Sequence, residues 1–302
     1  MTGHKLEDFI SISQLNFSQI SAIFARATAL KTSQKNDCPL IGKSLALIFR
    51  KPSMRTRVSF EVGMYQLGGH AVVLRMKDIG IGEREAIQDI GRTISRYVDG
   101  IVIRTFSHQE VLDLAKWATV PVINGLDDNE HPCQAMADLF TIQEKRGKLK
   151  GLKLAYIGDG NNVCNSLIQG CEKVEMEIVV SCPKGYEPED ISKIKDQKSK
   201  IRLAADPKEA VVDADIIYTD VWASMGEEKL AANKKKAFKG YQVNSALVNL
   251  AKADVLVMHC LPAHRGEEIT DEVLEGKNSI VFDQAENRLH VQKAILVELM
   301  GR

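Results

Sequence analysis

The sequence predicts an α/β fold class, with two doubly wound parallel-sheet domains joined by helices. Short continuous apolar runs, such as Leu45 to Phe49, are typical of strands that are covered on both faces of a sheet. Amphipathic helical stretches alternate with these runs, and such alternation implies right-handed crossovers between parallel strands. The pattern restarts after a charged segment at 145–150, so the 302 residues divide into two domains.

The first helix is predicted from its cap and its apolar face. Asn16 suits the N-cap, and Gln19 lies three residues later, where it completes a capping box. The apolar residues that follow at helical spacing are Ile20, Ile23, Phe24, Ala27 and Leu30. A helix with one such face packs that face on a core.

A strand, a turn and a helix come next, and the rest of the chain is organised around them. After the strand 45–49, Pro52 pushes the preceding residue toward an extended conformation, so the chain turns there. Ser53 suits the N-cap of the following helix, and Gly68 with Gly69 can close it.

The other elements of the first half continue the alternation. A loop at 75–84 is rich in charge and glycine and is long enough to be functional. His131 and Pro132 open a helix, because proline prefers the first helical position. The predicted strands and helices before it are Ala71–Leu74 (strand), Glu85–Val98 (helix), Ile101–Ile103 (strand, ending at Arg104), Gln109–Ala118 (helix) and Val120–Asn124 (strand).

The second half has the same architecture without repeating the sequence. A turn at 158–162 leads into a helix from Val163, and a final amphipathic helix covers Arg288–Met300. The predicted strands are Leu152–Ile157, Glu177–Ser181, Ile201–Ala204, Ile216–Thr219 and Val255–His259.

These boundaries define the predicted domains. We expect a first domain over 1–146, a second over 147–286, and a C-terminal helix at 287–302 that packs back on the first domain. In open α/β sheets, ligands bind beyond the carboxyl ends of the strands. We therefore expect the active site in the cleft between the two domains.

Composition excludes several classes of partner. Forty basic and forty acidic residues cancel, so the chain lacks the broad positive field that favours nucleic acid or an anionic membrane. No apolar run approaches the roughly 20 residues of a membrane-spanning helix, and the N-terminus has no apolar signal core. Six cysteines without a CxxC pair argue against a zinc site or a disulfide framework. We expect a reduced, cytoplasmic protein with no nucleic-acid partner, no membrane partner and no metal.

Two arginines in the first turn of the central helix indicate an anion site. Acidic residues normally lie there, because the start of a helix is positive. Ser53 and Thr56 add hydroxyls to the free backbone N–H groups, and Arg55 and Arg57 add two guanidinium groups. Such a set would suit a phosphate or a carboxylate. The alternative is that both arginines are solvated and that Ser53 is only a cap.

Other polar residues fall at or just beyond predicted strand ends. Arg104 is either a ligand clamp or an edge cation in solvent. His131 and Gln134 lie three residues apart and can face one spot, although a histidine near a helix end is more often structural. Asp220 would hold an ammonium group or cap a loop. Cys260 follows an apolar run, and a buried cysteine is usually inert packing.

Three further features have simple structural interpretations. Gly158-x-Gly160 after a strand hints at dinucleotide binding, but Val163 occupies the third glycine position of that fingerprint. The run Lys234–Lys236 is most simply a solvated helix face. Cys38, Cys164, Cys171 and Cys182 are interpreted as structural.

Seven ordered segments, spread over about Lys5 to Met300, resemble the transcarbamylase family, and within it the branch that acts on ornithine. They are FRKPSMRTRVSFE, RYVDGIVIRTF, HPCQAMADL, GDGNNV, TDVWASMG, MHCLPAHRGEEI and FDQAENRLHVQKAIL. Within the family, the DVWASMG and HCLP segments point to ornithine, whereas FxxPSMRTR is also similar to the acetylornithine branch.

The resemblance implies transfer of the carbamoyl group of carbamoyl phosphate to the δ-amine of L-ornithine, which gives L-citrulline and phosphate. It implies no cofactor, and a homotrimer or a multiple of trimers. The nearest alternatives are transcarbamylases for N-acetylornithine or putrescine. Alternatives of another class are a non-catalytic anion-binding protein and a dinucleotide-binding protein.

The resemblance also implies a role for each matching residue. The residues around carbamoyl phosphate would be Ser53, Met54, Arg55, Thr56, Arg57, Arg104, His131, Gln134, Cys260, Leu261 and Arg288. Those around ornithine would be Asn162, Asp220, Ser224 and Met225. The catalytic residues would be Arg104, His131, Asp220 and Cys260. The peptide bond between Leu261 and Pro262 would be cis.

Two positions depart from the family pattern. Met54 stands where the ornithine enzymes usually have threonine, so it offers a backbone N–H but no hydroxyl. Gly80 falls where many members have a glutamine that reaches the carbamoyl phosphate of a neighbouring subunit. Both departures reduce the number of side-chain donors around the first substrate.

Overall fold

The computed structural model describes residues 6–33, 38–75, 85–189, 200–223 and 231–301. The chain forms two compact units: the first consists of Met1–Phe140 and Glu286–Arg302, and the second of Thr141–Ala285. Each unit contains one sheet in which all strands are parallel. The predicted α/β class with two parallel-sheet domains is therefore confirmed.

The first unit has a four-stranded sheet. Its strands are β1 (Ser44–Phe49), β2 (His70–Arg75), β3 (Gly100–Arg104) and β4 (Val122–Leu126). Its helices are α1 (Phe17–Thr32), α2 (Met54–Gln66), α3 (Ile87–Ile94) and α4 (His108–Trp117), after a 3₁₀ turn at Ile12–Gln14. The spatial order is β2-β1-β3-β4, so the direction of winding reverses between β1 and β3.

The second unit has a five-stranded sheet. Its strands are β5 (Lys153–Ile157), β6 (Glu177–Ser181), β7 (Ile201–Ala204), β8 (Ile216–Thr219) and β9 (Leu256–His259). Its helices are α6 (Asn162–Lys173), α7 (Pro207–Val211), α8 (Ala231–Ala237), α9 (Ser245–Val248) and α10 (Asp271–Leu274). The order β7-β6-β5-β8-β9 reverses between β5 and β8.

Two long helices contain residues of both units. Helix α5 (Pro132–Arg146) begins in the first unit, and helix α11 (Val281–Met300) ends in it. Within the described residues, no helix is long and apolar enough to cross a membrane. All six cysteines lie among these residues and are free thiols.

Most elements lie where the sequence predicts them. The capping box of α1 is present, because Asn16 accepts from the Gln19 N–H and the Gln19 side chain accepts from the Asn16 N–H. Strands β1 and β3 are buried nearly throughout, as their apolar runs predict.

Several boundaries differ from the prediction, and three of them have a clear reason. Helix α11 begins at Val281, earlier than the predicted start at Arg288. The prediction was late because Gln284 and Asn287 are buried polar residues that interrupt the apolar pattern of the helix. Helix α3 ends at Ile94, where turns replace the predicted last helical turn. Strand β4 begins at Val122, since the preceding residue is a proline. The loop prediction at 75–84 lies outside the described residues beyond Arg75.

Candidate functional site

In the first unit, polar residues gather at the carboxyl ends of β1 and β3, where the sheet reverses its winding. Phe49 pairs in register with Arg104, so these two strands end side by side. Ser53 caps α2, and its hydroxyl accepts from the Thr56 N–H at 3.2 Å. The first turn of α2 therefore begins beside the end of β3, where free backbone donors favour an anion.

Arg288 of α11 is bound into this cluster by two side chains. Its Nη2 donates to Thr56 Oγ1 at 3.0 Å, and its Nη1 donates to Gln134 Oε1. Gln134 Nε2 in turn donates to Asp138 Oδ1 at 2.8 Å. All four side chains are buried, so the guanidinium of Arg288 is fixed in orientation.

His131 lies among three guanidinium groups. Burial lowers its pKa well below the ordinary 6.5, and the charges of Arg288, Arg104 and Arg55 lower it further, in that order. Each arginine is therefore close enough to His131 to influence its proton. Since His131 is neutral near pH 7, the excess positive charge of the site comes from the arginines and suits a phosphate dianion.

Arg57 does not join this cluster. Its Nε donates to Glu61 Oε2 at 2.9 Å, an i,i+4 pair on a half-exposed part of α2. Residues two apart on a helix do not face each other, so Arg55 and Arg57 leave α2 in different directions. The predicted contact of Arg57 with carbamoyl phosphate stays a prediction. Met54 is 70% exposed and leaves only its backbone for the site.

Sequence reasoning missed Asp127, which organises the loop before His131. Asp127 is fully buried, and its Oδ1 accepts from the N–H groups of Asn129 and Glu130 at 2.8 and 2.7 Å. Its Oδ2 accepts from Asn124 Nδ2 at 2.8 Å and contacts His108 Nδ1 at 2.7 Å. Aspartates in such turns bond to backbone N–H groups two residues on, so the run that begins at Asp127 carried a usable signal.

In the second unit, polar residues gather at the carboxyl ends of β5 and β8, again at the reversal of winding. Asp220 follows β8, and its Oδ1 accepts from the Cys260 thiol at 2.9 Å and from the Val221 N–H at 2.8 Å. Its Oδ2 accepts from Asn161 Nδ2 at 2.8 Å. These contacts fix the carboxylate plane, so the predicted pair of Asp220 and Cys260 lies together.

Asn161 was missed, although its neighbour Asn162 was predicted. Asn161 is the N-cap of α6, and its Oδ1 accepts from the N–H groups of Val163 and Cys164 at 3.0 and 3.1 Å. Tyr156 donates to the same oxygen at 3.1 Å. Asn162 is the first residue of α6. The side chain that caps a helix belongs to the residue just before its first residue, which here is Asn161.

Cys260 begins a loop whose backbone is fixed by the buried pair of His259 and Glu268. The Leu261 N–H donates to His259 Nδ1 at 2.8 Å, and His259 Nε2 lies 3.2 Å from Glu268 Oε1. The bond between Leu261 and Pro262 is cis, as predicted. Cys260 is half-buried rather than inert packing, and its thiol contacts Asp220. The predicted contact of Cys260 and Leu261 with carbamoyl phosphate stays a prediction.

Three ligand atoms of this region could geometrically approach a metal ion. They belong to Asp220, His259 and Cys260 and lie within 4.8 Å of one another. Both ring nitrogens of His259 already have partners in Leu261 and Glu268. We therefore assign no metal here, and the predicted absence of a cofactor stays a prediction.

The glycine motif after β5 has a packing explanation. A Cβ placed on Gly160 would lie 2.2 Å from Pro188 N, so the neighbouring backbone approaches where a dinucleotide would have to. Val163, at the third glycine position, is buried in α6. The described contacts of Gly160 therefore do not favour a dinucleotide site.

Other predictions have mixed outcomes. Lys234 is buried and paired with Asp159, which corrects the solvated-face interpretation, whereas Lys235 and Lys236 are exposed. Cys164, Cys171 and Cys182 are buried and structural, but Cys38 is exposed. Burial raises the pKa of Cys182 to about 12, so its thiol stays protonated. Gly80, Ser224 and Met225 lie outside the described residues.

Two parallel-sheet units, each with polar clusters at the reversal of winding, define an α/β protein whose clusters suit small charged ligands. Family profiles identify it further. The carbamoyl-P binding domain of aspartate/ornithine carbamoyltransferase matches residues 7–144, and the Asp/Orn binding domain matches residues 150–299. The chain belongs to the aspartate/ornithine carbamoyltransferase family, which confirms the predicted resemblance.

Individual relatives agree with this assignment. Ornithine carbamoyltransferase of Anoxybacillus flavithermus is 53% identical over 98% of this chain and 97% of that protein. Ornithine carbamoyltransferase of Carboxydothermus hydrogenoformans is 52% identical over the full length of both. The solved structure of ornithine carbamoyltransferase from Pyrococcus furiosus has a TM-score of 0.93 and 50% identity, over 97% of each chain.

Proposed function

We propose that this chain transfers the carbamoyl group of carbamoyl phosphate to the δ-amine of L-ornithine, giving L-citrulline and phosphate. The observation that carries the proposal is a buried cluster in which Arg288 donates to Thr56 and Gln134 and, in addition to burial and together with Arg104 and Arg55, lowers the pKa of His131. This cluster lies in the unit that matches a carbamoyl-P binding domain. The choice of ornithine is supported by relatives named ornithine carbamoyltransferase that are about half identical to this chain.

The first unit would bind carbamoyl phosphate. The free N–H groups at the start of α2 and the guanidinium of Arg55 would hold the phosphate, with the Ser53 cap fixing the turn. Arg104 and Thr56 would donate to the carbonyl oxygen, which gains negative charge as the amine attacks. Arg57 is left out of these roles because its described partner is Glu61.

His131 would act as a neutral donor near the carbamoyl group. A neutral imidazole carries one N–H and one acceptor nitrogen, so it can donate to a developing oxyanion without adding charge. The low pKa of His131 keeps this form at neutral pH. Gln134 would help to hold Arg288 in place rather than bind the carbamoyl group on its own.

The second unit would bind ornithine through Asp220. A carboxylate offers about four acceptor positions, and three of those of Asp220 are used by Cys260, Val221 and Asn161. The remaining position would accept from the α-ammonium of ornithine. The three fixed contacts orient that position, so the ammonium would be held in one direction.

The amine must lose a proton before it attacks, because a primary amine has a pKa of about 10. Cys260 would orient the δ-amine through its position beside Asp220. Bringing two bound substrates together supplies much of the rate enhancement through proximity. No step of this reaction requires a metal or an organic cofactor.

We include a homotrimer, or a multiple of trimers, in the proposal. An apolar stripe on α2 supports self-association, since Val58, Val62 and Tyr65 follow the exposed Met54 on one side and are 50%, 37% and 82% exposed. Such a stripe favours burial against another protein surface, and we assign it to a second copy of this chain. Light scattering of Val58→Glu should show smaller particles than the wild type, whereas Val212→Glu, also at an exposed valine, should not.

A cytoplasmic location is also part of the proposal. All six cysteines are free thiols, which suits a reducing compartment. The predicted carbamoyl-phosphate domain, 1–146 with the helix at 287–302, would correspond to the first unit, and the predicted ornithine domain, 147–286, to the second.

The proposal is tested by offering carbamoyl phosphate with ornithine, N-acetylornithine, putrescine or aspartate in parallel. Citrulline from ornithine at the highest kcat/KM is the expected result. Putrescine lacks the α-ammonium that Asp220 would hold, so it should be a poor acceptor. A preference for another amine would overturn the acceptor assignment, and no transfer to any amine would favour a non-catalytic anion-binding protein.

A further inference from the structure

Lys234 of α8 lies in a buried ion pair that the proposed reaction does not use. Its Nζ lies 2.7 Å from Asp159 Oδ2, and the two side chains are 5% and 12% exposed. The same Nζ lies 5.7 Å from the centre of the Tyr186 ring. A buried ion pair is weak evidence for added stability, because loss of hydration offsets the attraction between the charges. The alternative is that the pair of Lys234 and Asp159 fixes the position of the loop that contains Asp159.

Asp159 belongs to the loop that joins β5 to α6. Two residues later, Asn161 donates to Asp220 Oδ2 at 2.8 Å, and its own N–H donates to the Asp159 carbonyl at 2.7 Å. Between them, the Gly160 N–H donates to the Tyr186 carbonyl at 2.9 Å. The close approach of Pro188 leaves no room for a Cβ on Gly160. The loop is therefore packed so tightly that a shift of Asp159 also shifts Asn161.

We propose that Lys234 and Asp159 are positioning residues for the acceptor amino acid. Their ion pair fixes the 158–162 loop, so that Asn161 holds the Asp220 carboxylate in the orientation that binds the α-ammonium. This inference rests on the proposed function and deepens it. Acceptor binding then depends on Lys234 and Asp159, and neither residue is assigned a contact with the acceptor.

Kinetics of matched lysine variants test the proposal. Lys234→Met keeps most of the stem and removes the charge, Lys234→Arg keeps the charge, and Lys236→Met is the control on the exposed side of α8. Because a misplacement of about 1 Å can cost about 100-fold, we expect Lys234→Met to raise the KM for ornithine at least tenfold. The KM for carbamoyl phosphate should stay at the wild-type value, and both Lys234→Arg and Lys236→Met should resemble the wild type.

Two kinetic outcomes would overturn the proposal. A pair that only stabilises the fold would lower the unfolding temperature of Lys234→Met and of Asp159→Asn while leaving both KM values unchanged. An equal rise in the KM values of both substrates would show a general loss of structure. The specific rise for ornithine alone supports the positioning role, because stability affects both substrates alike.

Hydrogen exchange provides a measurement that needs no catalysis. The N–H groups of Val163 and Cys164 donate to Asn161 Oδ1, so their protection reports the position of Asn161. We expect faster exchange at these two amides in Lys234→Met, with unchanged rates in β1 of the first unit. Unchanged exchange at Val163 and Cys164 contradicts the inference, whereas a wild-type chain that forms no citrulline contradicts the proposed function.

Discussion

Arg288 Nη2 donates to Thr56 Oγ1 over 3.0 Å, so the last helix of the chain contributes directly to the first turn of α2. The two residues are 232 positions apart in the sequence. Both are buried, and Gln134 accepts from the other terminal nitrogen of Arg288. This cluster of Arg288, Thr56 and Gln134 therefore takes its residues from three helices. The partners that position the charge of Arg288 are distant in the sequence, so no short motif contains them.

Thr56→Val tests this bond without changing the shape of the side chain. A hydrogen bond to a charged group is worth about 1.5–3 kcal/mol, so the KM for carbamoyl phosphate should rise about 10- to 100-fold. The KM for ornithine should change much less. Steady-state kinetics measure both values.

The control for Thr56→Val is Thr32→Val on α1. The Thr32 hydroxyl donates only to the Thr28 carbonyl of its own helix and is exposed. Its loss should leave both KM values unchanged. An unchanged KM for carbamoyl phosphate in Thr56→Val would remove Thr56 and its bond to Arg288 from the site.

His131 predicts a pH dependence of stability. Its pKa is well below 6.5 in the folded chain and returns to about 6.5 on unfolding. Below pH 6.5, the unfolded chain therefore binds a proton that the folded chain does not. The contribution of His131 to stability is complete above pH 6.5 and is lost as the pH falls from 6.5 toward the folded pKa, by up to about 1.4 kcal/mol per pH unit.

Chemical unfolding of the wild type and His131→Asn at several pH values measures this effect. Asparagine does not titrate, so the difference between the two chains isolates His131 from all other groups. The wild type should lose more free energy of unfolding on acidification than the variant. Parallel pH profiles would show that His131 has an ordinary pKa in the folded chain.

Asp127→Asn should reduce both stability and turnover. Asp127 is buried and accepts from two backbone N–H groups and from Asn124, so its loss affects the loop that carries His131. Breaking a buried charged network costs about 3–5 kcal/mol in the free energy of unfolding. The kcat should also fall in chains that remain folded, as measured at a temperature below the unfolding transition.

Asp113→Asn is the matched control for Asp127. Asp113 accepts from Gln109 on the exposed side of α4, and exposed polar contacts contribute about 0–1 kcal/mol. We expect wild-type stability and kcat for this variant. A normal kcat in Asp127→Asn would show that the loop before His131 keeps its shape without the carboxylate.

How much of this site was predictable from the sequence depends on the range of each interaction. Apolar runs and caps are local, so the strands, the Ser53 cap and the positions of Arg104 and Asp220 at strand ends were predicted correctly. The contact of Arg57 with Glu61 was not predicted, because residues two apart on a helix do not face each other and spacing along the chain alone does not show this. Asp127 and Asn161 bond to backbone N–H groups two and three residues later, so a local turn and cap signal for them was present but not used. The Lys234–Asp159 pair depends on which segments meet, and composition or periodicity does not encode that.

Asp220→Asn tests the acceptor half of the site. The amide keeps the size of the carboxylate but removes the charge, and it turns one acceptor oxygen into a donor that faces Asn161 Nδ2 or the Cys260 thiol. Loss of a charge-assisted bond to the α-ammonium should raise the KM for ornithine about 10- to 100-fold, with a much smaller effect on carbamoyl phosphate. Steady-state kinetics with each substrate varied in turn measure the two effects.

Asp254→Asn is the control within the same unit. Asp254 is an exposed partner of Arg146, and the Arg146 guanidinium lowers the pKa of its carboxyl. Because the Asp254 side chain is 71% exposed to solvent, removing its charge should leave both KM values at the wild-type level. Equal increases for ornithine and carbamoyl phosphate in Asp220→Asn would contradict an acceptor-specific role, since a carboxylate that only supports the fold affects both substrates alike.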